Sequence, residues 1–261
     1  MWAWIIFLLI FEGLIGGAWF WFDQKNQDGQ SIAFENDIPP VFQEDTSSMI
    51  GPVPALPVEP PKPVIRDTVY VVPFTSQAPT GEWSLSAFQD GCEETSAMMV
   101  WMAREGKYLS REEVKAKLLN MALFQTKLIG HGVDTNVSDT NKYLLKEYFW
   151  ITDGEVVYDF TLDELKEAVM KGMVIVPTNG RALKNPNFMA SGPLQHMLVI
   201  IGYDVEEREF ITNDPGTRKG EGYRYTEQIL YGAIREYPTG KHLPITTERK
   251  AMILVPFTTE D

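Results

Sequence analysis

Apolar and polar positions divide this chain into three zones. Residues 2–22 are almost continuously apolar, reading WAWIIFLLIFEGLIGGAWFWF. As a helix this stretch rises roughly 30 Å, the thickness of a bilayer hydrocarbon core. Tryptophans at both of its ends suit the membrane–water interface. Glu12 near the middle opposes insertion by about 2–3 kcal/mol, which the apolar neighbours offset. Gly13 and Gly17 have the spacing of a helix–helix contact. A cleaved signal peptide is the alternative, but no Lys or Arg precedes the apolar run. Residues 23–67 lose the periodicity and gain prolines, as in Pro57-Val58-Glu59-Pro60-Pro61-Lys62-Pro63, which predicts an extended linker. From Thr68 onward the pattern is that of a folded domain.

Within that domain the elements come in two groups. Residues 69–72 predict a strand ending at Pro73. Residues 92–104 predict a helix that stops at Gly106. A second helix starts at Ser110 with Glu113 completing a capping box. A third starts near Asp139 and carries Tyr143, Leu144 and Tyr148. A fourth starts at Thr161, is capped by Glu164, and ends at Gly172. Strands follow at 174–177, 197–203, 209–212, 223–225 and 252–257, interrupted by a short helix over 227–236. Helices first and strands later predict an α+β domain. The expected organisation is a membrane anchor over 1–22, a linker over 23–67 and one domain over 68–261.

Composition narrows the function. Of 261 residues, 44% are hydrophobic and 23% charged, as expected of a globular domain. The net charge of −13 argues against nucleic-acid binding, which uses a basic face, and supplies no polybasic lipid anchor. The single cysteine excludes an internal disulfide and a multi-cysteine zinc site, and no cofactor is expected.

That cysteine, Cys92, follows Gly91 at the predicted start of a helix. The positive end of the helix dipole and unpaired N–H groups there favour a thiolate. His196 opens the apolar run Met197-Leu198-Val199-Ile200-Ile201, and Asn213-Asp214-Pro215 follows. The order Cys, His, then Asp or Asn is that of a cysteine nucleophile with an oriented base. A lone cysteine is equally at home as a small core residue. His131, in Gly130-His131-Gly132, and His242 read as loop and solvated histidines. Glu93 and Glu94 read as solvent-facing acids that favour the first turn of a helix, and Trp83, Tyr223 and Tyr225 as packing residues.

The motifs Val72-Pro73-Phe74-Thr75-Ser76-Gln77, Gly91-Cys92-Glu93-Glu94-Thr95-Ser96, His196 to Asp204 and Asn213-Asp214-Pro215 together resemble the papain-like cysteine peptidases of the bacteriocin-processing (double-glycine) family, in its stand-alone bacterial form. The resemblance spans residues 69–257. It implies the papain-like fold, with N-terminal helices packed on a C-terminal antiparallel sheet. It implies Cys92 as nucleophile, His196 as base, Asp214 as the group orienting the ring, and Gln77 as oxyanion donor. Asn213 competes with Asp214, and Gln89 with Gln77. The expected activity is hydrolysis of peptide or amide bonds in a peptide or protein substrate. A non-catalytic peptide-binding module on the same fold, or a cell-wall peptide amidase, are the alternatives. Localisation is expected at the cell membrane, single-pass, with an extracytoplasmic catalytic domain held off the bilayer by the linker.

Overall fold

The computed structural model describes residues 63–130 and 134–257. The expected anchor over 1–22, most of the linker and His131 lie outside the described residues. Among the described residues, no helix is long and apolar enough to cross a membrane.

The core is an antiparallel sheet whose strands are β1 (Thr68–Val69), β2 (Glu155–Tyr158), β3 (Gly172–Asn179), β4 (Gln195–Asp204), β5 (Glu209–Asn213), β6 (Tyr223–Thr226) and β7 (Ala251–Pro256). The order is β2-β7-β3-β4-β5-β6, with β1 pairing to β4. Side chains alternate faces along a strand, and here both faces are covered. Met173, Ile175, Met197, Val199, Ile201, Ile253 and Val255 enter one core, while Val174, Val176, Leu198, Ile200, Met252 and Leu254 enter the other. Burial on both sides is why the strands read as unbroken apolar runs instead of alternating ones.

Helices α1 (Ser86–Gln89), α2 (Cys92–Arg104), α3 (Arg111–Ile129) and α4 (Val137–Asp139) precede most of the sheet; α4 runs on as a π-helical stretch over Thr140–Tyr148. These supply the first core. The second is closed by α5 (Leu162–Lys171) and α6 (Glu227–Ala233). The two expected capping boxes form, Ser110 with Glu113 and Thr161 with Glu164, each side chain satisfying the other residue's backbone N–H. The expected α+β class with an antiparallel sheet holds. The chain order is less simply divided: β2 lies among the helices in sequence and pairs with β7 at the sheet's end. The expected strand at 69–72 is shorter, pairing over Thr68–Val69, with Tyr70 N–H still donating to the Ile201 carbonyl at 2.8 Å.

Candidate active site

Gly91 and α2 set the first half of the site. A Cβ at Gly91 would lie 2.5 Å from the Ala87 carbonyl oxygen, so only glycine allows the chain to pass so close before turning into α2. The Thr95 hydroxyl donates back to the Gly91 carbonyl at 2.6 Å and ties down the first turn. Cys92 is the first residue of α2, where the helix's leading N–H groups have no intrahelical acceptor. From Cys92 to Val100 every residue is buried. The Ser96 hydroxyl reaches the Met197 carbonyl at 3.3 Å, fastening α2 to the start of β4.

The sheet sets the second half. Antiparallel pairing places the start of β4, with His196, beside the end of β5 and the Asp214 that follows. His196 Nε2 lies 2.8 Å from Asp214 Oδ1, with His196 1% and Asp214 0% exposed. An ionised Asp214 only accepts, so it holds a proton on Nε2 and leaves Nδ1 as the basic nitrogen. Gly216 N–H also donates to Oδ1 at 3.0 Å. Tyr225 OH donates to Oδ2 at 2.7 Å, and Asn185 Nδ2 bonds the Tyr225 oxygen at 2.7 Å while lying 3.4 Å from Oδ2. Burial alone would raise the Asp214 pKa. The His196 ring and these donors outweigh it and hold the carboxyl below its ordinary value. Phe188 sets its ring edge-on to His196, with centroids 5.3 Å apart.

Asn213 points elsewhere. Its amide donates to the Val72 carbonyl at 3.0 Å and its oxygen accepts from Gly222 N–H at 3.1 Å. Of the two neighbours, only Asp214 bonds His196.

Gln77 joins the two halves. Its backbone N–H donates to the Pro215 carbonyl at 3.0 Å, beside Asp214. Its side-chain Nε2 donates to the carbonyls of Phe88 at 2.7 Å and Gln89 at 3.0 Å, in the turn before Cys92. Both amide hydrogens are thus engaged in the resting arrangement, while Oε1 is buried without a partner. A cleft of about 760 Å³ opens here, lined by Gln77, Gln89, Trp83, Phe188, Met189 and Arg218.

Cys92 itself is 4% exposed, and its Sγ donates to Glu93 Oε2 at 3.1 Å. Burial pushes the thiol pKa well up, the neighbouring Glu93 and Asp134 carboxyls push it further, and the Met197 backbone N–H partly opposes them. Glu93 and Glu94 correct the expectation from sequence: neither faces solvent, at 1% and 5% exposure. The first-turn position that favours acids at a helix surface is here pressed against the segment carrying Thr135 and against Tyr237. His242 is half exposed and faces Asp134 and Asp90 at 3.5 and 3.7 Å. Among the described residues no group of His, Cys, Asp and Glu is arranged to hold a metal ion.

Sequence reasoning missed Asn185, Phe188 and Tyr225 as partners of the His196–Asp214 pair. Asn185 and Phe188 lie in the loop between β3 and β4. Which of its side chains turn inward depends on the tertiary path, and no local motif encodes it.

No curated protein matches the chain. Among solved structures, it is similar to a crystal structure from Bacillus anthracis assigned as a C39-like peptidase. Identity is 17% and the TM-score 0.43, with 74% of this chain and 99% of that one covered. The family described as Peptidase_C39 like matches residues 69–238, from β1 to just past α6. With more than half of its length matched in this way, the chain belongs to the Peptidase_C39 like family and is a cysteine peptidase.

Proposed function

We propose that Cys92, His196 and Asp214 act as a catalytic triad that hydrolyses a peptide or amide bond. The observation that carries this reading is the buried 2.8 Å contact between His196 and Asp214 at the strand end that α2 is fastened to. In the proposed reaction His196 Nδ1 takes the thiol proton as the sulfur attacks the scissile carbonyl carbon. Negative charge then appears on the carbonyl oxygen. The Cys92 backbone N–H and one Gln77 Nε2–H receive it, the latter released from the Gln89 carbonyl. The leaving amine departs with the proton from His196. A water, deprotonated by the same ring, then cleaves the thioester.

The substrate is a peptide or protein strand lying in the cleft beside Gln77 and Phe188. Hydrolysis of a mixed peptide library tests the triad. The triad reading expects turnover by the full chain that is abolished in Cys92→Ala and reduced by about 10²–10³-fold in Gln77→Ala. Cleavage that survives in Cys92→Ala would refute it. Residues 1–22 serve, on this reading, as a single-pass anchor, with residues 23–67 as spacer and the peptidase domain outside the cytoplasm. Labelling of Cys92 in intact cells by a membrane-impermeant thiol reagent tests that placement. Labelling only after lysis would contradict it.

A further inference from the structure

The contact that Cys92 makes is to Glu93, and the mechanism above gives Glu93 no task. Its Oε2 accepts from Cys92 Sγ at 3.1 Å. Its Oε1 accepts from Tyr237 OH at 2.8 Å and from Thr135 N–H at 3.3 Å. No cation pairs with it among the described residues. The groups facing it are acidic or neutral: Cys92 and Glu94 on α2, Asp134 and Thr135 in the segment after α3, and Tyr237. His242 is a basic group that pairs with acids of this cluster, Asp134 and Asp90.

A carboxyl buried without a cation costs several kcal/mol. An amide would accept from Tyr237 and Thr135 at its oxygen without that cost, but its nitrogen could not accept from Sγ, so the acid is distinguished at the oxygen that faces the sulfur. What the acid adds is a titratable group in contact with the reacting sulfur. We propose that Glu93 is a second proton partner of Cys92, whose protonation state sets how readily the thiolate forms. The inference rests on Cys92 being the nucleophile, as proposed above.

The proton balance is simple. The thiol proton goes to His196 as in the mechanism above, no electrons are transferred, and a neutral Glu93 keeps its own proton and turns it toward the thiolate. A thiolate beside an ionised Glu93 would instead place two buried anions in contact. A thiolate beside a neutral Glu93 accepts a hydrogen bond. Burial and the Asp134 carboxyl raise the Glu93 pKa to about 8, so the neutral form is within reach at physiological pH.

The test is a pH titration of thiolate ultraviolet absorbance in the full chain, taken as the difference from Cys92→Ser. With one cysteine in the sequence the signal has a single source. Glu93→Gln keeps the side-chain shape and the acceptor for Tyr237 and Thr135, and removes the charge. Its thiolate midpoint should fall by about one pH unit or more, giving roughly tenfold more thiolate at a fixed pH below the midpoint. Tyr237→Phe removes a donor that favours ionised Glu93, so it should move the midpoint the same way by less. Should Glu93→Gln fail to fold, Tyr237→Phe carries the test. Midpoints that stay put or rise would overturn the proposal and leave Glu93 a structural residue. Peptide hydrolysis by His196→Ala is measured in parallel. Activity retained there refutes the triad and not the Glu93 assignment, which stands or falls on the titration.

Discussion

At the residue scale, the two halves of the site differ in how they hold their charge. Asp214 is buried among donors, from His196, Tyr225 and Gly216, and its ionised form is favoured. Glu93 is buried among other acids, and its neutral form is favoured. The alternatives left open by the sequence differ in the same way. Asn213 and Asp214 are adjacent, but successive residues leave a strand on opposite sides. Asn213 therefore staples Val72 to Gly222 while Asp214 meets the imidazole. Asp214→Asn should keep a partner for the ring but lose the charge that stabilises imidazolium, lowering kcat by several orders of magnitude with little change in fold. Asn213→Ala should do the reverse: near-normal kcat and a loss of about 1–3 kcal/mol in denaturant unfolding, since one buried and one half-buried backbone group lose their partner. A catalytic defect in Asn213→Ala with none in Asp214→Asn would exchange their roles. Spacing alone could not choose between them, because both readings fit an acid or amide near the end of β5.

At the scale of elements, the sequence was legible where local chemistry fixes a boundary. The helix over 92–104 and the capping boxes at Ser110 and Thr161 fall where the residues predict them. Ser110→Ala and Thr161→Ala should each cost about 1 kcal/mol of unfolding free energy and leave activity unchanged, since both caps lie on exposed helix starts and bond only within their own first turns. An activity loss at either cap would mean that α3 or α5 helps position the site. Less was legible where tertiary contact decides. Glu155–Tyr158 forms β2 because β7 pairs with it, although its residues are only partly buried. The helix near Asp139 is π-wound over Thr140–Tyr148, a winding that hydrophobic periodicity does not distinguish from an ordinary helix. The outward reading of Glu93 and Glu94 failed for a similar reason. An apolar stripe on α2 predicts one buried face, whereas the helix runs through the core and is buried all round its first turns.

At the scale of the whole molecule, these buried acids give the fold a pH dependence of definite sign. Glu93 is raised to about 8 and Glu236 to about 7, and Glu94 and Asp134 are also raised, chiefly by burial. Each binds its proton more tightly folded than unfolded. Their contribution to stability is therefore whole below the ordinary carboxylate range near 4.3 and is lost as pH rises through about 7 to 8. Glu227 acts oppositely. Burial would raise it, but Lys166 at 2.6 Å, Arg208 at 2.6 Å and the Tyr203 hydroxyl bring it down to about 2. Its contribution is present above the ordinary carboxylate range and is lost as pH falls toward 2. The melting temperature should peak at about pH 5 and decline toward pH 8. The double variant Glu93→Gln, Glu236→Gln should flatten the decline. A net charge of −13 adds repulsion at higher pH, but salt screens that part and spares buried groups, so the decline should persist in high salt. A melting temperature that rises from pH 5 to pH 8 would contradict this assignment of buried acids.

The most direct test of the account is the rate of Cys92 alkylation by a small neutral reagent at pH 7, in the full chain and in His196→Ala. Burial and two carboxyls hold this thiol protonated, so ready reaction at neutral pH requires a base to take the proton. If His196 is that base, the variant should react at least about 10²-fold more slowly while keeping its fold by circular dichroism. Equal rates in the two proteins would show that His196 does not activate Cys92, and the proposed triad would be wrong.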